Sequence, residues 1–313
     1  MLISKKNNEP SQHGGISFRG DIQGLRAIAV LAVMVFHANS SWMPAGFIGV
    51  DIFFVISGYI ISNILLEEGK SLNWRRFYWA RVKRIVPAYV VMLSIVCAAS
   101  ALLLTPVDFA FFKSSLRSAL LFVSNRYYSG FGDYFAPGAH EQPLLHTWSL
   151  AIEMQFYIFL PILIYYVPRN FLAPLLAFLC VAFLTYAELK LGVADDQRQV
   201  YFSLLARVPE FLIGALVAVS AVGRSWSERQ SFVAGAVGVA LLVLSLIFVD
   251  EKKFPGFYSI FPCLAVGMLI ASRTGVVNKV LALPVFVIIG ALSYSLYLWH
   301  WPVLALMRPE FNT

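Results

Sequence analysis

A chain of 313 residues that is 59% hydrophobic and only 13% charged, with mean hydropathy +0.73, is too apolar for a soluble domain, where about one residue in four is charged. Its repeated apolar runs of about 20 residues exclude a pair of soluble domains and favour one helical bundle in a bilayer. The net charge of +7 does not imply nucleic acid, because a membrane protein distributes lysine and arginine by topology.

Residues 1–20 form a polar tail with no apolar h-region before Asp21, so the first apolar run reads as a retained anchor helix rather than a cleaved leader. Helical spans are predicted at 22–40, 48–66, 85–104, 146–168, 171–189, 201–222, 232–249, 256–272 and 280–306. The fold class is therefore an all-α integral membrane protein, a polytopic bundle of about nine transmembrane helices occupying 21–307, with 308–313 a short tail. The first two spans carry Arg26, His37 and Asp51, and ionisable residues inside spans are functional candidates by default. Arg26 and His37 are close to three helical turns apart, so they share a face, separated by roughly 16 Å along the axis. Asp51 lies one turn into the second span, at a depth similar to His37, and suggests an oriented imidazole.

The densest basic segment is WRRFYWARVKR, Trp74 to Arg84, leading into the third span. Basic residues mixed with Trp and Tyr are the ordinary anchor of an interfacial loop. Arg81 and Arg84 also share one helical face, and guanidinium forks match phosphate. Residues 107–124 are apolar but carry Lys113 and Arg117, and are predicted to form an interfacial amphipathic helix rather than a further span. With nine spans and a cytoplasmic N-terminus, the loops on that side collect the larger share of lysine and arginine, as the positive-inside rule requires. The long outer loop 105–145 contains YYSGFGDYFAPGAHEQP and is either an acceptor-binding lid or a connection over the bundle.

His146 and Glu153 then share a helical face, with Glu153 roughly 10 Å deeper. Arg207 and Glu210 form an i,i+3 pair around Pro209, which a structural ion pair would also explain. In the last span Ser293 and Ser295 suit interhelical hydrogen bonds. His300, between Trp299 and Trp301, suits an interfacial belt. Cys97, Cys180 and Cys263 have no metal-like spacing and read as packing residues, and no metal site is expected. Taken together, His37, Asp51, His146 and His300 fall toward the outer halves of their spans, whereas Arg26, Arg81 and Arg84 lie toward the cytoplasm. That distribution suggests a tunnel with an anionic donor held inside and chemistry carried out across the membrane.

The segments GLRAIAVLAVMVFHA, GFIGVDIFFVISGYII, RVKRIVPAY, LLHTWSLAIEMQFY, RVPEFLIGAL and SYSLYLWHWPVL occur in this order. The chain resembles the bacterial membrane acyltransferase-3 family from about residue 18 to 307, most closely the branch that O-acetylates lipopolysaccharide O-antigen and related envelope polysaccharides. The resemblance implies a multi-pass inner-membrane bundle that passes acetyl from cytoplasmic acetyl-CoA to an extracytoplasmic glycan, polysaccharide or lipid-linked. By position, Arg26 and His37 match the family's first-span Arg and His, and Arg81 and Arg84 match its R-x-x-R motif, implying donor-phosphate binding. Asp51, His146, Glu153 and Glu210 also fall on family-motif positions. The family's usual acids are replaced by Gln23 and Met154, which excludes a paired carboxylate at 153–154. The branch usually continues into a periplasmic SGNH hydrolase-like domain, and no G-D-S nucleophile motif follows here. A truncated chain, a natural short form and reliance on a separate SGNH-type partner are all expectations at this point.

On this reading His37, with Asp51 orienting its ring, is the general base or a transient acyl carrier. Arg26 and Glu153 complete the catalytic set. Arg81, Arg84 and Arg26 bind the donor, and His146, Glu210 and His300 contact the acceptor. The competing reading is a transporter or flippase for a polar lipid or glycan, using the same residues as a proton or substrate path.

Overall fold

A chain in lipid must satisfy its backbone polar groups internally, and a helix does so within one segment. The computed structural model describes residues 18–130, 142–193 and 197–307, and every regular element among them is helical. Most of the polar tail, the aromatic part of the long outer loop at 131–141 and the tail 308–313 lie outside the described residues. In chain order the helices are α1 (Gly20–Ala38), α2 (Gly49–Glu68), α3 (Trp74–Leu103), α4 (Pro106–Leu120), α5 (Ser124–Ser129), α6 (Thr147–Tyr166) and α7 (Arg169–Leu191). There follow α8 (Gln197–Tyr201), α9 (Leu204–Val219), α10 (Glu228–Phe248), α11 (Ile260–Ser272), α12 (Val276–Leu281) and α13 (Pro284–Leu306).

Among the described residues eight segments are long and apolar enough to cross a membrane, and the shorter apolar segment Phe257–Ser272 accompanies them. These are the nine expected spans, with two differences. First, α3 does not begin near residue 85; it runs unbroken for 30 residues from Trp74. Its start is set by Asn73, whose side chain accepts the Arg76 N–H at 3.0 Å, and the basic-aromatic run is helical, with Phe77 buried and Arg75 and Arg76 facing out. Second, α11 has 13 residues, roughly 20 Å of helix. Most of it is buried among its neighbours, so it does not have to shield a full bilayer thickness by itself. The segment expected to be amphipathic is α4, which turns Phe112, Ser115 and Ala119 inward and Lys113 and Arg117 outward.

Between helices in lipid the hydrophobic gain is small, so close backbone packing holds the bundle together. The most extensive pairing is α2 with α9, where Gly58 and Gly214 meet. A Cβ on Gly58 would overlap the Phe211 carbonyl, and one on Gly214 would overlap the Val55 carbonyl. Nearly as extensive is α1 with α13. Gly290 meets the Gln23 backbone at one end of this pair and His300 meets His37 at the other, so the two helices run parallel.

The end of the bundle where α1 begins is called here the basic end, and the opposite one the histidine end. At the basic end Arg19 binds the Asp21 carboxylate at 2.8 and 2.5 Å and also donates to the Ile270 carbonyl at 2.9 Å. Asn278 donates to the same carboxylate at 2.7 Å. This network ties α1 to α11 and α12 and fixes the axial position of Arg26 and His37.

Candidate active site

The parallel pairing of α1 and α13 builds the histidine end. His37 Nδ1 lies 2.9 Å from His300 Nε2, and the two rings stack with centroids 5.2 Å apart. His300 Nδ1 lies 2.7 Å from the Tyr297 carbonyl. A carbonyl only accepts, so for neutral rings Nδ1 of His300 carries its proton and Nε2 its lone pair. His37 must then donate from Nδ1, which leaves Nε2 as its basic nitrogen. Trp301 packs edge-on against His37 at 4.6 Å and donates to the Gln142 carbonyl at 2.8 Å, pinning the entry to α6. His146, just before α6, brings its ring within 6.0 Å of His300, and neither of its ring nitrogens has a hydrogen-bond partner among the described residues.

Below the histidines lies a narrow cavity. Arg26, Arg81 and Arg84 line it toward the basic end, and Val50, Ser149 and Tyr297 line it toward the histidine end. Glu153 sits between, accepting from Ser57 at 2.5 Å and from the Tyr157 hydroxyl. Arg26 donates to Gln23 at 3.3 Å, and the Arg81 guanidinium stacks over the Phe77 ring at 4.6 Å. Two buried polar atoms on this lining, Arg81 Nε and Ser293 Oγ, have no hydrogen-bond partner among the described residues. The Ser149 and Tyr297 hydroxyls are 2.6 Å apart and stand between the cavity and the histidine cluster, since Tyr297 also packs edge-on against His146 at 5.9 Å.

The two remaining acidic candidates are elsewhere. Arg207 Nη1 holds Asp51 at 3.1 Å and Glu210 at 2.8 Å, and all three side chains have 0% exposure. The guanidinium is boxed by Tyr201, Phe254 and Trp148 at 4.4, 4.9 and 5.2 Å. The expectation that Asp51 orients His37 is therefore corrected. Similar depth did not fix direction around the helix, and α9 presents Arg207 to Asp51 while α13 presents His300 to His37. The acceptor-contact role expected of Glu210 is corrected likewise, because it lines neither the cavity nor any surface.

The structure thus brings Arg26, Arg81, Arg84 and Glu153 to one cavity, and His37, His146 and His300 to one cluster. Sequence reasoning missed Ser57, Tyr157, Ser149 and Tyr297. The i,i+4 spacing of Glu153 and Tyr157 and the i,i+3 spacing of Tyr297 and His300 were the available signals for two of them.

Fold and site together define a polytopic helical membrane protein with an arginine-lined internal cavity that closes on buried histidines. Residues 19–313 match the acyltransferase-3 family model, described as an acyltransferase domain, and the chain belongs to that family. It is 32% identical over 311 residues to the O-acetyltransferase OatA of Staphylococcus aureus strain NCTC 8325, covering 93% of this chain and 51% of that protein. A putative O-acetyltransferase of Staphylococcus aureus strain COL is likewise 32% identical over 316 residues, with the same coverage of each. The chain spans about half the length of the curated relatives it matches. No solved structure matches it.

Proposed function

We propose that this chain is a membrane O-acetyltransferase that moves acetyl from cytoplasmic acetyl-CoA to a hydroxyl of an extracytoplasmic glycan, such as lipopolysaccharide O-antigen. The observation that carries the reading is the single cavity with three arginines at one end and a histidine cluster beyond the other. Arg81 and Arg84, with Arg26 deeper, hold the donor phosphates, and the Arg81 Nε, without a partner among the described residues, suits such a ligand. The offset of roughly 16 Å from Arg26 to His37 is of the order a pantetheine arm spans. The N-terminus then lies in the cytoplasm of a bacterial inner membrane, in keeping with the basic bias of that side.

In the transfer step His37 Nε2 takes the proton from the acceptor hydroxyl as its oxygen attacks the thioester carbonyl carbon. The new C–O bond forms, the C–S bond breaks, and the coenzyme leaves as its thiol, taking the proton back from His37 Nε2. His300 acts as the positioning residue, accepting a hydrogen bond from His37 Nδ1–H and holding its ring. An SGNH-type partner is the proposed recipient of the acetyl group where transfer is relayed rather than direct.

The test is acetyl-CoA binding to the purified protein, by calorimetry, against Arg81→Ala/Arg84→Ala. A charge-assisted hydrogen bond contributes about 1.5–3 kcal/mol, so each arginine lost should weaken binding about tenfold to a hundredfold. Equal affinity in a folded double variant would remove the donor from this cavity.

A further inference from the structure

A second cavity, open on one side, lies at the histidine end on the other flank of α6, lined by α5, α6, α7, α8 and the start of α9. Glu153 and Gln155 are two residues apart on α6, about 200° around the helix, so one lines the first cavity and the other lines this one. In a chain with so little charge, nearly half of its lining is polar, with Asn125, Arg126, Gln155, Tyr186, Lys190 and Gln199 contributing. No carboxylate lines it among the described residues.

The amide wall is already set. Gln155 Nε2 donates to the Phe122 carbonyl and to Asn125 Oδ1, both at 2.9 Å, and Asn125 donates to the Phe202 carbonyl at 3.1 Å. Both donors of Gln155 are thereby used, and its carbonyl oxygen remains an acceptor. Neither the Arg126 guanidinium nor the Lys190 ammonium has an ion pair among the described residues. Two such cations at a membrane end would suit simple interfacial anchoring. Anchoring alone does not require a preset amide wall and a cavity lined by it together with Tyr186 and Phe202.

Fixed amides and aromatic side chains are the groups that recognise ring hydroxyls and sugar faces, and cations recognise an anion. We infer that this cavity binds an acidic sugar unit of a glycan, with its hydroxyls on Gln155, Gln199 and Tyr186 and its anionic group on Arg126 and Lys190. That the glycan is the acetyl acceptor rests on the transferase reading; the binding does not.

The experiment measures saccharide binding without any donor, on the full chain in phosphatidylcholine nanodiscs. The ligands are a hyaluronan tetrasaccharide, which carries glucuronate, and the neutral chitin tetrasaccharide. The variants are Arg126→Gln/Lys190→Gln and, as a control outside the cavity, Lys252→Gln. The inference expects the acidic tetrasaccharide to bind at least tenfold more tightly than the neutral one, and the double variant alone to lose that preference. Equal binding by double variant and wild type, or no acidic preference in the wild type, overturns it. Repeating the measurement with phosphatidylglycerol in the discs separates the sources. If only the anionic lipid binds, and the double variant abolishes it, the cavity is a headgroup site and the sugar assignment is wrong. Intact sugar binding without acetyl transfer would instead overturn the transferase reading and leave this site standing.

Discussion

Replacing Arg207 by methionine keeps most of the side-chain volume and removes the one cation between Asp51 and Glu210. Both carboxylates then stay at 0% exposure, with only a shared proton to relieve their repulsion. Breaking a buried charge pair by deleting one partner costs about 3–5 kcal/mol, and losing the aromatic box around the guanidinium adds to it. At about 2 °C per kcal/mol for a chain of this size, Arg207→Met should lower the unfolding midpoint by about 6–10 °C. Thermal unfolding of the detergent-solubilised protein, followed by size-exclusion fluorescence, reads this directly. The triple variant Asp51→Asn/Arg207→Met/Glu210→Gln leaves no charge in this cluster and should recover more than half of the loss. A single variant as stable as wild type, or a triple variant no better than the single, would refute the electrostatic account of this cluster.

The α2–α9 crossing should be as intolerant of volume. Gly58→Leu drives a side chain into the Phe211 backbone and should cost about 3 kcal/mol or more, seen as loss of a monodisperse chromatographic peak. Gly192→Ala, where a Cβ meets only ordinary contacts, should change stability by less than about 0.5 kcal/mol. His300→Phe keeps a ring beside His37 but removes the nitrogen that accepts the hydrogen bond from its Nδ1–H. It should leave acetyl-CoA affinity unchanged and slow transfer about tenfold to a hundredfold in kcat; an effect confined to KM would make His300 an acceptor contact instead.

The spans were legible because each is a run of about 20 apolar residues with polar breaks, and the short amphipathic α4 was legible because Lys113 and Arg117 interrupt its apolar pattern. The arginines of the cavity could also be read from sequence, since Arg81 and Arg84 share a helical face by spacing alone. The true start of α3 was hidden because the basic-aromatic run serves equally as a loop anchor or as about three opening helical turns, and only the Asn73 cap decides. Pairing across the bundle was not legible. His37 and His300 are separated by 263 residues, and axial depth places Asp51 near His37 without saying which way each points. Direction is set by the parallel packing of α1 with α13 and the glycine crossing of α2 with α9, both properties of the assembled bundle.

The most direct test of the account is acetyl transfer from labelled acetyl-CoA to envelope polysaccharide in membranes carrying the wild type or His37→Ala, with donor binding measured on the same purified proteins. The account predicts that His37→Ala binds acetyl-CoA like the wild type and transfers acetyl at least about a hundredfold more slowly. Transfer within twofold of wild type at equal protein levels would contradict it.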